Sequence, residues 1–182
     1  MLPPLQMDSA FTGFVWSALG SPKYSTRWCA VHSVRKLAEA QCTDEIDALI
    51  SWMERDTVDA FGANKFPFYN LHARLYLFIS LARVSIDNPN ILLRHKSVFC
   101  TYALQSSFHI LIQKYATDIA LNIEKAYPGT YLKEIVDALQ KAGKSQFDKV
   151  ELEERWETKD SYWHANETIN TNLNFNHGYD FD

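Results

Sequence analysis

The sequence has none of the short motifs that usually mark a nucleotide or metal site. It contains no P-loop, no glycine-rich phosphate fingerprint, no HExxH helix and no CxxC pair. The three cysteines, Cys29, Cys42 and Cys100, share no metal-ligand spacing, and they fit a reducing compartment. We therefore predict no cofactor and no bound metal.

Signals for secretion and membrane insertion are also missing. The stretch Met1–Met7 carries two prolines and no positive charge, and no long apolar run follows it. The most apolar stretch, residues 66–86, is interrupted by Arg74 and Arg83, which a membrane span would not favour. These absences predict a cytoplasmic protein with no membrane partner.

The composition is that of a folded protein, but its charge is uneven. Hydrophobic residues make up 47% of the 182 residues, and the net charge of −4 argues against a nucleic-acid partner. Residues 146–182 hold nine acidic residues against three basic ones. We therefore predict a helical domain over residues 1–145, followed by an acidic, partly irregular C-terminal segment over 146–182.

Residues 66–86 are apolar on two faces of a helix. The first apolar stripe consists of Phe68, Leu71, Leu75, Phe78, Ala82 and Ile86. The second stripe covers most of the opposite side and consists of Tyr69, Ala73, Tyr76, Leu77, Leu81 and Val84. A helix of this kind is buried on more than one side. We predict that it is the inner helix of an all-α layer, with neighbours on both sides.

Further helices are predicted over residues 11–19, 26–40, 44–55, 91–104, 108–126 and 131–142. The first of them is expected to pack on the body through Phe11, Phe14, Val15 and Ala18. The N-caps expected for the helices that begin near residues 26, 91 and 131 are Ser25 or Thr26, Asn90 and Thr130. The first helices of three successive pairs begin near residues 26, 67 and 107, a period of about 40 that is typical of HEAT or armadillo solenoids. The fold class predicted is therefore all-α, a HEAT-like helical repeat (α-solenoid) of about three helix pairs. An irregular helical bundle with evenly spaced loops is the alternative.

Arg27 and His32 are the strongest catalytic candidates. Their RxxxxH spacing resembles the element of HEPN ribonucleases, which implies an all-helical, metal-independent ribonuclease in which Arg and His act together on RNA. A histidine could move a proton while an arginine steadies a phosphate. However, the two residues lie about 140° apart around a helix, so they share a face poorly. A surface arginine and a structural histidine are the alternative interpretation.

Other histidines and basic residues are interpreted structurally. His72 and His109 lie in apolar helices and are expected to be core or near-core residues satisfied by backbone groups. The basic cluster Arg94–Lys96 is expected on a solvated helix face.

Three stretches resemble the helical-repeat region of very large bacterial ATP-binding proteins of the STAND NTPase group, including the AVAST type. They are TRWCAVHSVRKL at 26–37, FPFY with HARLYL at 66–77, and GYDFD at 178–182. The resemblance implies a sensor that recognises a phage protein, although the effector and the P-loop of that family are absent here. It also implies that Trp28, His32, Phe68, His72 and Arg74 are structural.

The resulting expectation is a non-enzymatic protein-binding or scaffold module, the sensor part of an antiviral defence NTPase. Its partner would be a phage protein or the remainder of a larger NTPase, and no catalytic residue is assigned. The alternatives are a HEPN-like ribonuclease or toxin using Arg27 and His32, and a stand-alone helical partner protein.

Overall fold

The computed structural model describes residues 7–55, 67–105 and 109–143, and these residues form helices and turns without a β-strand. A short 3₁₀ turn, Leu93–His95, joins the fifth helix to the sixth. The all-α prediction is confirmed for this part of the chain. The helices are α1 (Met7–Leu19), α2 (Tyr24–Glu39), α3 (Thr43–Glu54), α4 (Pro67–Asp87), α5 (Pro89–Leu92), α6 (Lys96–Leu104), α7 (Ile110–Ala126) and α8 (Lys133–Lys141).

The backbone divides after Lys144, and all the described residues lie in the first unit, Met1–Lys144. All the helices named above belong to the first unit. The acidic segment predicted over 146–182 lies outside the described residues. None of the described helices combines the length and the apolar character needed to cross a lipid bilayer.

Helix α4 is the inner helix of the first unit. It packs against α2 and α7, and also against α1. Its buried residues occupy more than one face, as the two apolar stripes predict, and the expectation of neighbours on both sides is confirmed. The ends of the first stripe are exposed, however: 42% of Phe68 and 70% of Ile86 face solvent. The buried residues are Ala73, Leu77, Phe78, Ser80, Leu81, Ala82, Val84 and Ser85.

Two buried serines on α4 make hydrogen bonds to its neighbours. The Ser80 hydroxyl donates to the Val31 carbonyl of α2 at 3.0 Å, and the Asn122 side chain of α7 donates to Ser85 Oγ at 2.9 Å. Positions 80 and 85 are about 140° apart around a helix. The two bonds therefore leave α4 in different directions, one toward each neighbour.

The predicted buried face of α1 is partly wrong. Phe11 and Phe14 were expected to pack on the body, but 46% and 66% of their surfaces are exposed. The helix instead buries a neighbouring face that contains Trp16, which is fully buried, together with the small polar residue Thr12. A hydroxyl can enter a core where it has a hydrogen-bond partner, so polarity alone did not identify the buried side.

Several helix starts also differ from the sequence prediction. Lys23 rather than Ser25 or Thr26 occupies the N-cap position of α2, and Asn88 precedes Pro89 at the start of α5. The Thr130 hydroxyl donates to the Tyr127 carbonyl at 2.6 Å, so it closes the preceding turn instead of capping α8. Ser, Thr and Asn favour turns and caps alike, and the sequence pattern does not separate the two roles.

Candidate functional site

Aromatic and basic side chains gather along adjacent ridges of α2 and α4. Positions 24, 28 and 32 of α2 are four residues apart, as are positions 68, 72 and 76 of α4, so each set lies on one face of its helix. The Ser80–Val31 hydrogen bond keeps these two helices together. We call the group the aromatic–arginine surface, and it consists of Tyr24, Arg27, Trp28, His72, Tyr76 and Arg83.

The rings of this surface meet edge to face around Trp28. The Trp28 ring centroid lies 6.0 Å from that of Tyr24 and 5.8 Å from that of Tyr76, with interplanar angles of 66° and 78°. Edge-to-face pairs bring the positive edge of one ring to the negative face of another. The contacts therefore stabilise the pairing of α2 with α4 at a partly exposed position.

Two arginines cover ring faces in the same group. Arg27 Cζ lies 4.8 Å from the centroid of Tyr76, and Arg83 Cζ lies 5.4 Å from that of Trp28. At these distances the guanidinium charge is attracted to the ring quadrupole, a contribution of about 0.5–1 kcal/mol at exposed sites. Neither arginine forms an ion pair with a carboxylate among the described residues.

The start of α2 fixes the position of Arg27. Its Nη1 donates to the Ser21 carbonyl at 2.6 Å and to the Pro22 carbonyl at 3.0 Å. Three buried polar atoms of the surface have no hydrogen-bond partner in the described part of the chain: Arg27 Nε, Trp28 Nε1 and His72 Nδ1. Buried polar groups normally have a hydrogen-bond partner, so these three atoms are exceptions in the packing of α2 against α4.

His72 is a neutral member of the surface near pH 7. Burial lowers its pKa below the ordinary value, and the positive charge of Arg27 lowers it further. Its position corrects the sequence interpretation, because His72 is only half-buried and its Nδ1 is not satisfied by a described backbone group. Its ring centroid lies 6.0 Å from that of Phe68.

The candidate pair Arg27 and His32 lies on one helix, but the two side chains have different neighbours. The Arg27 guanidinium is held by two carbonyls and two tyrosine rings, whereas His32 is exposed and its ring lies beside Trp28, with centroids 6.3 Å apart. No hydrogen bond joins the two side chains within residues 7–55. One chain therefore does not bring them together as a proton-transfer and phosphate-binding pair.

A second polar cluster joins α3 to the 3₁₀ turn. Asp47 accepts from Arg94 Nη1 at 2.8 Å, and its other oxygen lies 2.6 Å from His95 Nε2. His95 is mostly buried, with 18% of its side chain exposed. Arg94 and His95 therefore hold two helices together, and the expected solvated basic face is wrong for His95.

The remaining histidine and cysteine positions have local roles. His109 is exposed and forms the N-cap of α7, where its Nδ1 accepts from Leu111 N at 3.2 Å, so the near-core interpretation is wrong. Burial raises the pKa of the Cys100 thiol, which makes it a poorer nucleophile. No group of three His, Cys, Asp or Glu residues in the described ranges could hold a metal ion.

The fold and the site together define an all-helical chain with a partly exposed aromatic–arginine surface across two packed helices. No protein-family model matches the sequence, and no curated protein matches it significantly.

Proposed function

We propose that the chain is a cytoplasmic, non-enzymatic protein-binding module built from HEAT-like helical repeats. The arrangement of α2, α4 and α7 carries this proposal. They begin at Tyr24, Pro67 and Ile110, two steps of 43 residues, and α4 packs against both of the others. In a solenoid, the first helices of successive repeats form such a row, and the period falls within the range of HEAT repeats.

The second helices of the first and last pairs support the same interpretation, whereas α6, in the middle pair, packs mainly against α7. α3 packs against α2, α8 packs against α7, and α6 packs against α8. The contacts from α1 to α2, α3 and α4 lie outside this scheme, as expected for a helix that precedes the first pair. Solenoids bind partners along exposed helix faces, and the aromatic–arginine surface lies on two adjacent first helices.

The resemblance of residues 26–37 and 66–77 to STAND NTPases extends the proposal to a biological setting. On that basis the module is the sensor part of a bacterial antiviral defence NTPase of the AVAST type. Its partner is then a phage protein or the remainder of the NTPase. Within this proposal Trp28 and His72 are structural residues of successive repeats, in keeping with the ring contacts of Trp28 with Tyr76 and of His72 with Phe68.

The purified full chain provides the first test. We expect no cleavage of single-stranded or hairpin RNA above background, either by the wild type or by the Arg27→Ala and His32→Ala variants. Lys125→Ala is the matched control, because Lys125 is exposed on α7, away from both candidate residues. Cleavage by the wild type that disappears in folded Arg27→Ala and His32→Ala proteins, but not in the control, would show a ribonuclease.

A photo-crosslinking amino acid at an exposed position tests the binding function directly. Placed at position 32 in the intact chain and irradiated in cells, it should form protein adducts that are absent when it is placed at position 125. Adducts to nucleic acid alone, or the same adducts from both positions, would contradict the proposal.

A further inference from the structure

We infer that the aromatic–arginine surface binds an acidic peptide segment of a partner protein. This inference rests on the proposed protein-binding function and specifies the partner's chemistry and the place where it binds. It is carried by the charge distribution along α2 and α4 and by the exposed side chains at one end of the surface.

The two helices carry cations along this surface and acids only at their far ends. The only acidic residue of α2 is Glu39 and the only one of α4 is Asp87, the last residue of each helix. Both are engaged by Arg35, with N–O distances of 3.4 Å to Glu39 and 3.0 Å to Asp87. The carboxylates of α2 and α4 are therefore already paired with Arg35, and neither forms an ion pair with Arg27 or Arg83.

Two exposed cations lie at or beside the aromatic–arginine surface. Arg83 is exposed, and among the described residues its guanidinium forms no ion pair and lies over the face of Trp28. Lys23, beside the start of the surface, is also exposed. Unpaired cations near a low-dielectric aromatic cluster attract carboxylates more strongly than isolated surface charges do.

The side chains are of the types that dominate protein interfaces. Tyr, Trp and Arg contribute most of the binding energy in typical protein interfaces. Tyr24 exposes 49% of its surface and Phe68 exposes 42%, so an aromatic rim surrounds the half-buried Trp28 and Tyr76.

A single-stranded nucleic acid fits the surface less well. Base stacking requires an open ring face, but the Tyr76 face is covered by Arg27 and the Trp28 face by Arg83.

The test is selection of short peptides from a random displayed library on the immobilised full chain. We expect the enriched peptides to be rich in Asp and Glu, and we expect a fluorescein-labelled copy of one of them to bind the chain in solution. Arg83→Glu should weaken this binding about tenfold or more, as loss of a central interface arginine does. Arg83→Lys, which keeps the charge, should retain most of the binding.

Lys125→Glu is the matched control, since it makes the same change in net charge at an exposed lysine on α7. It should leave peptide binding within about twofold of the wild type, as distant surface charges are screened by salt. Circular dichroism melting of each variant checks that Arg83→Glu is folded.

Three results would overturn the inference: no enriched peptide, enriched peptides without an acidic bias, or equal weakening by Arg83→Glu and Lys125→Glu. Tighter binding of fluorescein-labelled oligo(dT) or oligo(U), lost in Arg83→Glu, would also overturn it in favour of a nucleic acid. Peptide binding at another surface leaves the proposed protein-binding function intact, whereas RNA cleavage dependent on Arg27 and His32 removes that function itself.

Discussion

Replacing Gly20 by alanine tests how closely the end of α1 approaches α4. A Cβ atom built at Gly20 would lie 2.5 Å from the Tyr69 carbonyl oxygen and 3.3 Å from the Ala73 Cβ. The first of these atoms belongs to the α4 backbone, so it cannot move aside without shifting the helix. The structure therefore predicts that α1 and α4 separate slightly in the Gly20→Ala variant.

The expected cost is that of overpacking a core. Added methyl groups that force backbone shifts usually destabilise a protein by about 1–3 kcal/mol. Alanine also reduces the entropy of the unfolded chain, which offsets about 0.4–1 kcal/mol. We expect a net loss of about 1–2 kcal/mol in the free energy of unfolding, and each kcal/mol lowers the melting temperature by about 2–4 °C for a chain of this size.

Urea unfolding followed by circular dichroism measures this change, and Gly129→Ala is the control. Gly129 has a φ of +87°, and a Cβ there meets no described atom within 4 Å, so alanine costs only the left-handed backbone conformation, roughly 1–2 kcal/mol. The two variants differ in cause, because Gly20→Ala meets the α4 backbone whereas Gly129→Ala only strains a left-handed residue, and asparagine tolerates that conformation. Gly129→Asn should therefore recover part of the loss, whereas Gly20→Asn should be less stable than Gly20→Ala. A Gly20→Ala protein as stable as the wild type, or a Gly20→Asn protein as stable as Gly129→Asn, would refute the close approach.

Two further predictions concern the core and the turn before α8. Phe78 is fully buried and its ring lies 6.4 Å from that of Phe99 and 5.0 Å from that of Tyr102, so Phe78→Ala should lower the unfolding free energy by about 3–5 kcal/mol in urea titrations. The Glu124 carboxylate accepts backbone N–H hydrogen bonds, first from Gly129 and then from the residues that follow it, and these lower its pKa below the ordinary value of 4.5. The stability that this carboxylate provides is therefore complete above about pH 4.5 and is lost as the pH falls through the lower pKa of the folded state. Melting temperatures measured from pH 7 downward should therefore fall less steeply for Glu124→Gln than for the wild type, and parallel curves would contradict this role.

The helices of this chain could be predicted because burial repeats along them. In α4 the buried residues Leu77, Leu81 and Val84 recur at helical spacing, and that spacing alone locates the element and its two apolar faces. In α1 the same reasoning correctly placed Val15 and Leu19 inside, but it also placed the large residues Phe11 and Phe14 there, and both are exposed. Periodicity shows that a helix has a buried face, but the neighbouring helices decide which of two overlapping faces is covered.

The polar contacts between helices could not be predicted from the sequence. Asp47 suits the first turn of α3, where a negative charge favours the helix dipole, and nothing in the sequence joins it to residues 94 and 95. Such pairs depend on the distance and rotation between two helices, which the local pattern does not specify. The same holds for the contact between Arg27 of α2 and Tyr76 of α4, which the pattern of neither helix predicts.

Helix α4 combines the core and the candidate surface, and its geometry keeps the two separable. Ala82 and Val84 are buried on either side of Arg83 in the sequence, yet the Arg83 side chain is exposed, because successive residues of a helix point about 100° apart. A substitution at position 83 therefore alters the charge presented beside Trp28 without opening a cavity, whereas Phe78→Ala opens a cavity without altering that charge. Because one helix carries both faces, changes in binding and changes in stability can be assigned to different residues that are about one and a half turns apart. That separation allows the aromatic–arginine surface to be tested in a chain whose core is left intact.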